Sequence, residues 1–265
     1  MENRGRSLAH VALFFLGCAV ILAIAAALPF PRQSPEQEVF IGSLAGAGSL
    51  ALTLLFVRWD GLQLHHVGAM PNRKSPVFLS AGFAIGVFLV ALHSYVVGIV
   101  GHVHWERIPG AGFEQGGLVL LGYLLLSGRE ELAFHGYPLR RLQVVLGVWG
   151  AQAIVALIFA LEHMGGGWSP AQALWGAAAG SVLFGMASIA TRGLAVPIGI
   201  HAAWNFGDWL RGNRSVPGLW RAQVDQGFEN AASSAGMWCY LAVMAAATLG
   251  FWLWHRARES GKAAL

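Results

Sequence analysis

Charged residues are scarce in this sequence of 265 residues. Lysine, arginine, aspartate and glutamate together make up 11% of the chain, whereas 56% of it is hydrophobic. A soluble domain carries about 25% charged residues, so this chain lacks the polar surface that would keep it in water. The composition therefore excludes a soluble enzyme or a DNA-binding domain. The net charge of +4 does not indicate a nucleic-acid partner, because basic loops mainly set the topology of membrane proteins.

Cysteine is also rare. The two cysteines, Cys18 and Cys239, both lie in apolar stretches, so a disulfide framework has no support. The short zinc-protease signature His-Glu-x-x-His is absent from the sequence. A metal site in this chain would have to be assembled from separate helices.

Long uncharged stretches are what the sequence contains instead. Several reach the ~20 residues with which a helix crosses the hydrocarbon core of a bilayer. We therefore predict an all-α fold, a polytopic transmembrane helix bundle that forms one domain over residues 1–265. Two glycine pairs, Gly82-x-x-x-Gly86 and Gly176-x-x-x-Gly180, are predicted to let helices pack closely. The eight predicted spans are residues 8–30, 37–57, 76–101, 116–140, 146–165, 169–190, 193–210 and 235–254.

Basic residues are unevenly distributed over the predicted loops. Cytoplasmic loops carry an excess of lysine and arginine, so both termini are predicted to be cytoplasmic. The compact chain favours an integral protein of a bacterial inner membrane. Eleven basic residues fall on the cytoplasmic side and five on the other, namely Arg4, Arg6, Arg58, Arg73, Lys74, Arg140, Arg141, Arg192, Arg256, Arg258 and Lys262 against Arg32, Arg107, Arg211, Arg214 and Arg221.

Polar side chains are concentrated in three of the predicted spans. An ionisable residue at membrane depth costs about 2.5–3.5 kcal/mol to insert, so it is a functional hypothesis by default. A purely structural polar cluster is the alternative, but interhelical hydrogen bonds contribute only about 0.6 kcal/mol each. The residues are Arg129, Glu130, Glu131 and His135 in the fourth span, Phe159, Glu162 and His163 in the fifth, and His201 and Asn205 in the seventh.

The relative heights of these residues depend on where the fourth and fifth spans reverse. If the turn is centred near residues 146–147, Glu130 and His163 stand level. If it is centred near residue 143, as the predicted span ends suggest, they are offset by roughly 10 Å. His201 and Asn205 share one helix face, and Pro197 is expected to bend that helix locally.

A carboxylate, two histidines and an amide in one buried layer suit hydrolysis. A glutamate can act as a general base toward water, and a histidine opposite it can hold the same water. Histidine and asparagine can donate hydrogen bonds to the oxyanion of a tetrahedral intermediate. One glutamate and two histidines could instead bind zinc and leave one position for water.

The same residues resemble the motifs of a known family. Glu130-Glu131-Leu-Ala-Phe-His135, Phe159-x-x-x-His163 and His201-x-x-x-Asn205 resemble, in order and placement, the three motifs of the CPBP intramembrane proteases. That family includes the type II CAAX prenyl endopeptidases and bacteriocin-processing or immunity proteins. The resemblance covers a core of roughly residues 116–210. It implies an intramembrane endopeptidase whose substrate is a membrane-associated peptide or protein, prenylated in the CAAX subgroup.

The resemblance also implies roles for the matched residues. Glu130 would activate water with His163 as its partner, His201 and Asn205 would stabilise the oxyanion, and Glu131 would be a supporting carboxylate. Members of the family have been described both as metalloproteases and as glutamate proteases. We favour water activation without an obligatory cofactor, with zinc bound by Glu130, His163 and His201 as the alternative.

One position departs from the family pattern. His135 stands where the family has arginine. Arginine is always charged, whereas histidine changes its charge near neutral pH. The pair with Glu131 would then be weaker or sensitive to pH, unless Arg129 or Arg140 replaces the missing cation; loss of activity is the third possibility. Arg129 is otherwise predicted to be a supporting charge partner, and Phe159 a wall of the pocket.

Two other functions stay open at this point. A proton-coupled transporter could relay protons through Glu130, Glu131 and the histidines, although the internal repeat typical of such carriers is not found. A non-catalytic immunity or scaffold protein could keep the same fold. The sequence predicts no particular oligomeric state.

Overall fold

The structure, a computed structural model, describes residues 4–29, 34–214 and 218–263, and it is 80% helical. The first half contains α1 (Arg4–Ala27), α2 (Pro35–Trp59), a 3-10 turn (Leu64–Val67), α3 (Ser75–Val100), strand β1 (Val103–Arg107) and α4 (Gly116–Glu130). The second half contains a π-helix (Glu131–Gly136), α5 (Tyr137–Gly165), the short α6 (Pro170–Gln172), a second π-helix (Ala173–Ala177), α7 (Ala178–Thr191), α8 (Ala195–Leu210), strand β2 (Trp220–Val224) and α9 (Glu229–Ala263).

Six helical stretches of the described chain are long and apolar enough to cross a membrane. They are α1, α2, α3, α9, the stretch from α4 through α5, and the stretch from α6 through α7. α8 has 16 residues. The chain is therefore an all-α integral membrane protein, and its helices are compatible with the eight predicted spans because the stretch from α4 through α5 folds back on itself. The predicted end of the first span, residue 30, lies outside the described residues, as does Arg32.

Large apolar side chains remain exposed on the outside of the bundle. Val77, Phe88, Val144 and Trp238 are 64–67% exposed. Large exposed apolar side chains of this kind are a liability in water, whereas the hydrocarbon core of a bilayer covers them.

The reversal between the fourth and fifth predicted spans occurs at Gly147. Its φ of 72° and ψ of 178° lie where glycine alone is unstrained, so the chain can turn back within a continuous helical run. The turn comes later than the predicted span ends of 140 and 146 suggest. It agrees with the alternative centre near residues 146–147. Glu130 and His163, almost equally far from Gly147 along the chain, therefore stand at the same level.

Two glycines bring α3 into backbone contact with α8. A Cβ atom on Gly82 would lie 2.2 Å from the carbonyl oxygen of Val196, and one on Gly86 would lie 2.6 Å from that of Ile200. No larger side chain fits in either place, which confirms the packing role predicted for this pair. Gly180 of the second predicted pair instead faces a side chain, because its Cβ would lie 3.1 Å from the Tyr240 hydroxyl.

Pro197 does not bend α8. The helix begins at Ala195, so the proline lies in the first turn, where a missing backbone N–H breaks no helical hydrogen bond. The expected local bend is therefore wrong.

Two short strands join the ends of the helices on one side. β1 follows α3 and β2 precedes α9, and they pair antiparallel with Trp105 opposite Ala222. The connection after α8 is thus held against the bundle. Within it, Arg211 donates hydrogen bonds of 2.8 Å to His93 Nδ1 and to the Ser94 hydroxyl of α3.

A buried carboxylate joins three helices at the opposite end. Asp60, at the end of α2, accepts a hydrogen bond of 2.8 Å from the Tyr137 hydroxyl of α5. It also lies 2.7 Å from His10 Nδ1 of α1 and 2.9 Å from Arg141 Nε of α5. These contacts fix the first residues of α5, which follow directly on the π-helix.

Candidate active site

A cavity of about 270 Å³ opens between the helices that carry the motif residues. Glu130, His163, His201 and Asn205 all line it, and so does Phe159. Four of the five residues predicted to be catalytic are therefore brought together around one space, although they come from three helices. Glu131, the fifth, lies behind this wall, where it is completely buried.

The π-helix after α4 determines which carboxylate faces the cavity. Glu130 is the last residue of α4, and Glu131 begins the π-helix, which ends at Gly136. A π-helical segment widens the helical turn and is frequent at functional sites. Here Glu130 points into the cavity, while Glu131 and His135 point together into the protein interior.

Glu131 bridges two histidines. Its Oε2 lies 2.8 Å from His135 Nδ1, and its Oε1 lies 2.9 Å from His201 Nδ1. An ionised carboxylate can only accept hydrogen bonds, so each histidine donates from Nδ1. This leaves Nε2 of His201 as the atom that faces Glu130, at 3.6 Å from its Oε2.

At residue 135, where the family pattern has arginine, the histidine itself pairs with Glu131. His135 pairs with Glu131 from the neighbouring turn, and its Nε2 lies 3.0 Å from the Ser181 hydroxyl of α7. All three side chains are fully buried. Arg129 and Arg140 do not take over this position, since Arg129 pairs with Glu162 and Arg140 donates to the backbone oxygen of Ser188 at 2.7 Å.

Glu130 offers an acceptor toward the cavity. Its Oε2 is buried and has no hydrogen-bond partner among the described residues. A buried oxygen without a partner costs about 1–3 kcal/mol, so a donor in the cavity would stabilise it. A water molecule fits this need, because the space is polar and large enough to hold one.

His163 offers a second acceptor at the same level. Its Nδ1 lies 2.9 Å from the carbonyl oxygen of Phe159, one turn earlier. The carbonyl can only accept, so Nδ1 donates, and Nε2 of the neutral ring is an acceptor. The Phe159 ring, 4.5 Å from the imidazole between centroids, and the Trp168 ring, at 4.9 Å, hold the histidine in place.

Asn205 receives a hydrogen bond from a residue outside the motifs. The Nη2 of Arg214, in the connection after α8, donates to its side-chain oxygen. Arg214 Nη2 is also 3.5 Å from Asp208 Oδ2, and the guanidinium lies 5.7 Å from the centre of the Tyr123 ring. Arg214, Asp208 and Tyr123 line the same cavity.

Arg129 is a charge partner, as predicted, and its partner is Glu162. The guanidinium binds the carboxylate with both terminal nitrogens, one of them at 2.8 Å. The Arg129 side chain is 2% exposed and that of Glu162 is 18% exposed. The pair joins α4 to α5 through the immediate neighbours of Glu130 and His163, and it therefore fixes the register of those two residues.

Metal ligands do not converge in the described part of the chain. No group of three or more histidine, cysteine, aspartate or glutamate side chains lies there in positions that could hold a metal ion. Glu130, His163 and His201 border one cavity, but as placed they do not form the tetrahedral set that zinc requires. We therefore derive no catalytic step through a metal.

Sequence reasoning missed several polar residues of the cavity. Glu38, Tyr123, Asp208, Arg214 and Tyr240 line it beside the motif residues. Glu38 and Asp208 lie within two or three residues of a helix end, where a charged residue is ordinary in a membrane protein. Only the tertiary structure brings these helix ends together, so no local pattern identified them.

Comparison with known proteins agrees with the motifs. Residues 114–207 match the family model described as type II CAAX prenyl endopeptidase Rce1-like. This stretch is similar to a family of membrane proteases. The Rce1-like region runs from the residues just before α4 into α8, and so contains all the residues that carry the resemblance to the CPBP proteases. It points to a protease, that is, a hydrolase of peptide bonds, acting on a peptide or protein at a membrane. No curated protein sequence matches the chain significantly.

Proposed function

We propose that this protein is an intramembrane endopeptidase that hydrolyses a peptide bond in a membrane-associated substrate, of which prenylated CAAX-type proteins are one class. The observation that carries the proposal is the meeting of Glu130, His163, His201 and Asn205 around one cavity within a bundle of apolar helices. The Rce1-like region supports the reaction class.

In the proposed first step, a water molecule is held between Glu130 and His163. It donates one hydrogen bond to the Glu130 carboxylate and one to Nε2 of His163. As its oxygen attacks the scissile carbonyl carbon, Glu130 takes the proton, which is general-base catalysis. Positioning by two acceptors aligns the lone pair for attack.

In the proposed second step, the oxyanion is stabilised and the peptide bond breaks. His201 donates to the oxyanion from Nε2 as an imidazolium, with the buried Glu131 as its counter-charge, and Asn205 donates from its amide nitrogen. Such donors act strongly in a site from which water is excluded. Glu130 then returns its proton to the leaving amine nitrogen while the C–N bond breaks, which regenerates the carboxylate.

The setting of the reaction follows from the same proposal. We propose one transmembrane domain over residues 1–265, with the catalytic core at about 116–210 and both termini in the cytoplasm of a bacterial cell. The distribution of basic residues supports this orientation. The apolar outer surface of the helices supports a substrate that approaches from the bilayer.

The test is cleavage of a fluorogenic prenylated CAAX peptide and of a library of membrane-embedded peptides by the purified full-length protein. We expect Glu130→Gln, His163→Ala and His201→Ala each to lower kcat about 100-fold or more, since each removes a group used at the transition state. Glu114→Gln, an exposed carboxylate before α4, is the matched control and should keep wild-type activity. Equal cleavage by the wild type and all three variants would contradict the assignment of the site.

Dependence on zinc is tested on the same preparation. The proposed mechanism has no obligatory metal, so activity should persist after chelation and dialysis, and metal analysis should find less than one zinc per chain. Loss of activity on chelation, with recovery on adding zinc, would replace this mechanism by one in which Glu130, His163 and His201 rearrange to bind the ion.

A proton carrier is the second candidate, because one observation favours it. Glu130, His201, Glu131, His135 and Ser181 form a continuous run of polar side chains, as a proton relay would. Proton flux into proteoliposomes that depends on Glu130, without cleavage of any peptide, would support this function. A non-catalytic scaffold would show neither cleavage nor flux.

A further inference from the structure

The side-chain oxygen of Asn205 already accepts a hydrogen bond from a positively charged side chain. Arg214 Nη2 donates to Asn205 Oδ1, and a guanidinium has donors only. The asparagine amide therefore cannot turn its nitrogen toward Arg214 without placing two donors face to face. Its NH₂ group must point away from Arg214, and Asn205 lines the cavity that also contains Glu130, His163 and His201.

Arg214 is itself held in place from two sides. Its Nη2 lies 3.5 Å from the Asp208 carboxylate, one turn beyond Asn205 on α8. The guanidinium also stands 5.7 Å from the centre of the Tyr123 ring of α4, where a cation is attracted to the ring face. The Arg214 side chain is 26% exposed, so its charge lies at the rim of the cavity and not in open water.

We propose that Arg214 is a positioning residue of this active site, which orients the Asn205 amide so that its NH₂ group donates to the oxyanion. Arg214 reaches the site from the connection after α8, beyond the Rce1-like region. Asp208 in turn orients Arg214. The inference rests on the proposed function, because an oriented amide matters for catalysis only if Asn205 serves the oxyanion.

A double-mutant cycle on the full-length protein in detergent or nanodiscs tests this. The four proteins are the wild type, Asn205→Ala, Arg214→Gln and the double variant, assayed with the fluorogenic prenylated CAAX peptide. Asn205→Ala should lower kcat by about 100-fold, as loss of one oxyanion donor does. Arg214→Gln should lower kcat by about 10-fold or more with KM changed less than about 3-fold, because a misplaced group slows the step without weakening binding.

The decisive comparison is within the cycle. If Arg214 acts through Asn205, adding Arg214→Gln to Asn205→Ala should lower kcat by no more than about 2-fold, since coupled residues are not additive. Arg214→Lys keeps one donor and the charge, and it should recover part of the activity. Arg221→Gln is the matched control: this arginine of β2 pairs with Glu106 at 3.2 Å on the exposed surface, and its loss should leave kcat unchanged.

The outcomes separate the two proposals. Fully additive losses in the cycle, or wild-type kcat in Arg214→Gln, would overturn the positioning role while the site assignment stands. Wild-type kcat in Asn205→Ala would contradict the proposed role of Asn205. Thermal unfolding of the same four proteins gives a second measurement, which does not depend on activity. Their Tm changes should be non-additive if residues 205 and 214 interact. Additive changes would contradict the contact itself.

Discussion

Glu131 is the side chain on which the polar network of this protein converges. It is fully buried and accepts hydrogen bonds from His135 and His201. It therefore lies between His135 in the interior and His201 at the cavity. A buried charge without a partner is costly, and each oxygen of the Glu131 carboxylate accordingly has an imidazole donor.

The residue types, but not their partners, could be predicted from the sequence. Glu130, His163 and His201 stand out because ionisable residues are rare at membrane depth. Their spacing also carries the family resemblance. That Glu131 would face away from the cavity, and that Asn205 would bind Arg214, depends on side-chain directions that no spacing rule specifies.

Replacing His135 tests its role as a partner of the buried Glu131 carboxylate. His135→Ala should lower kcat about 10-fold or more and lower Tm, because Glu131 loses a hydrogen-bond donor. Arginine also donates hydrogen bonds to a carboxylate, so we expect His135→Arg to retain more of the wild-type kcat than His135→Ala.

Ser188→Ala serves as the control for packing near residue 135, since the Ser188 hydroxyl donates only to the His135 backbone oxygen. Its kcat should match that of the wild type. Wild-type kcat and Tm in His135→Ala would contradict the role of His135 as the partner of Glu131.

At the scale of the elements, the site depends on the pairing of α4 with α5. Hydropathy alone predicted the two spans correctly as separate apolar helices but left their register open by roughly 10 Å. The register is decided by Gly147, whose positive φ places the reversal, and by the ion pair between Arg129 and Glu162. The π-helix at Glu131–Gly136 could not be predicted either, because its sequence has no pattern that distinguishes a π-helix from an α-helix.

Breaking the ion pair between α4 and α5 should impair both stability and activity. Arg129→Met leaves the Glu162 carboxylate without its partner, and removing one member of a buried pair costs about 3–5 kcal/mol. We expect a clear drop in Tm and a fall in kcat, because the register of Glu130 and His163 is loosened. Arg129→Met combined with Glu162→Gln should recover much of the Tm, since no unpaired charge remains.

The exposed pair of Arg192 with Glu259, at 3.0 Å with both side chains about half exposed, is the matched control. Surface pairs contribute about 0–1 kcal/mol, so Arg192→Met should change Tm little. Equal Tm changes for Arg129→Met and Arg192→Met would contradict a structural role for the buried pair.

At the scale of the whole molecule, the distribution of basic residues predicts which side of the membrane each end of the bundle faces. The β1–β2 pair and the connections that carry Arg107, Arg211 and Arg214 lie on one side of the bundle. The turn at Gly147, the start of α1 and the end of α9 lie on the other. The excess of basic residues on that second side predicts that it faces the cytoplasm.

Cysteine labelling in whole bacterial cells tests this orientation. In a Cys18→Ala, Cys239→Ala background, we expect Gln226→Cys, after β2, to react with a membrane-impermeant maleimide added outside. Arg73→Cys, between α2 and α3, should react only after the cells are permeabilised. Both positions are exposed, so accessibility differs only by the side of the membrane. The reverse pattern would invert the predicted topology.

The sequence by itself determined the class of this protein and the identity of its unusual residues. The scarcity of charge and the apolar stretches of ~20 residues specified a helical membrane protein, since a helix of that length crosses the bilayer and satisfies its own backbone hydrogen bonds. The few charges left inside the spans marked the candidate site. The tertiary structure alone decided the level of Glu130 with His163, the inward turn of Glu131 and the contact of Arg214 with Asn205. These depend on a glycine turn, a π-helix and a loop folded back by strand pairing, that is, on contacts between residues far apart in the chain.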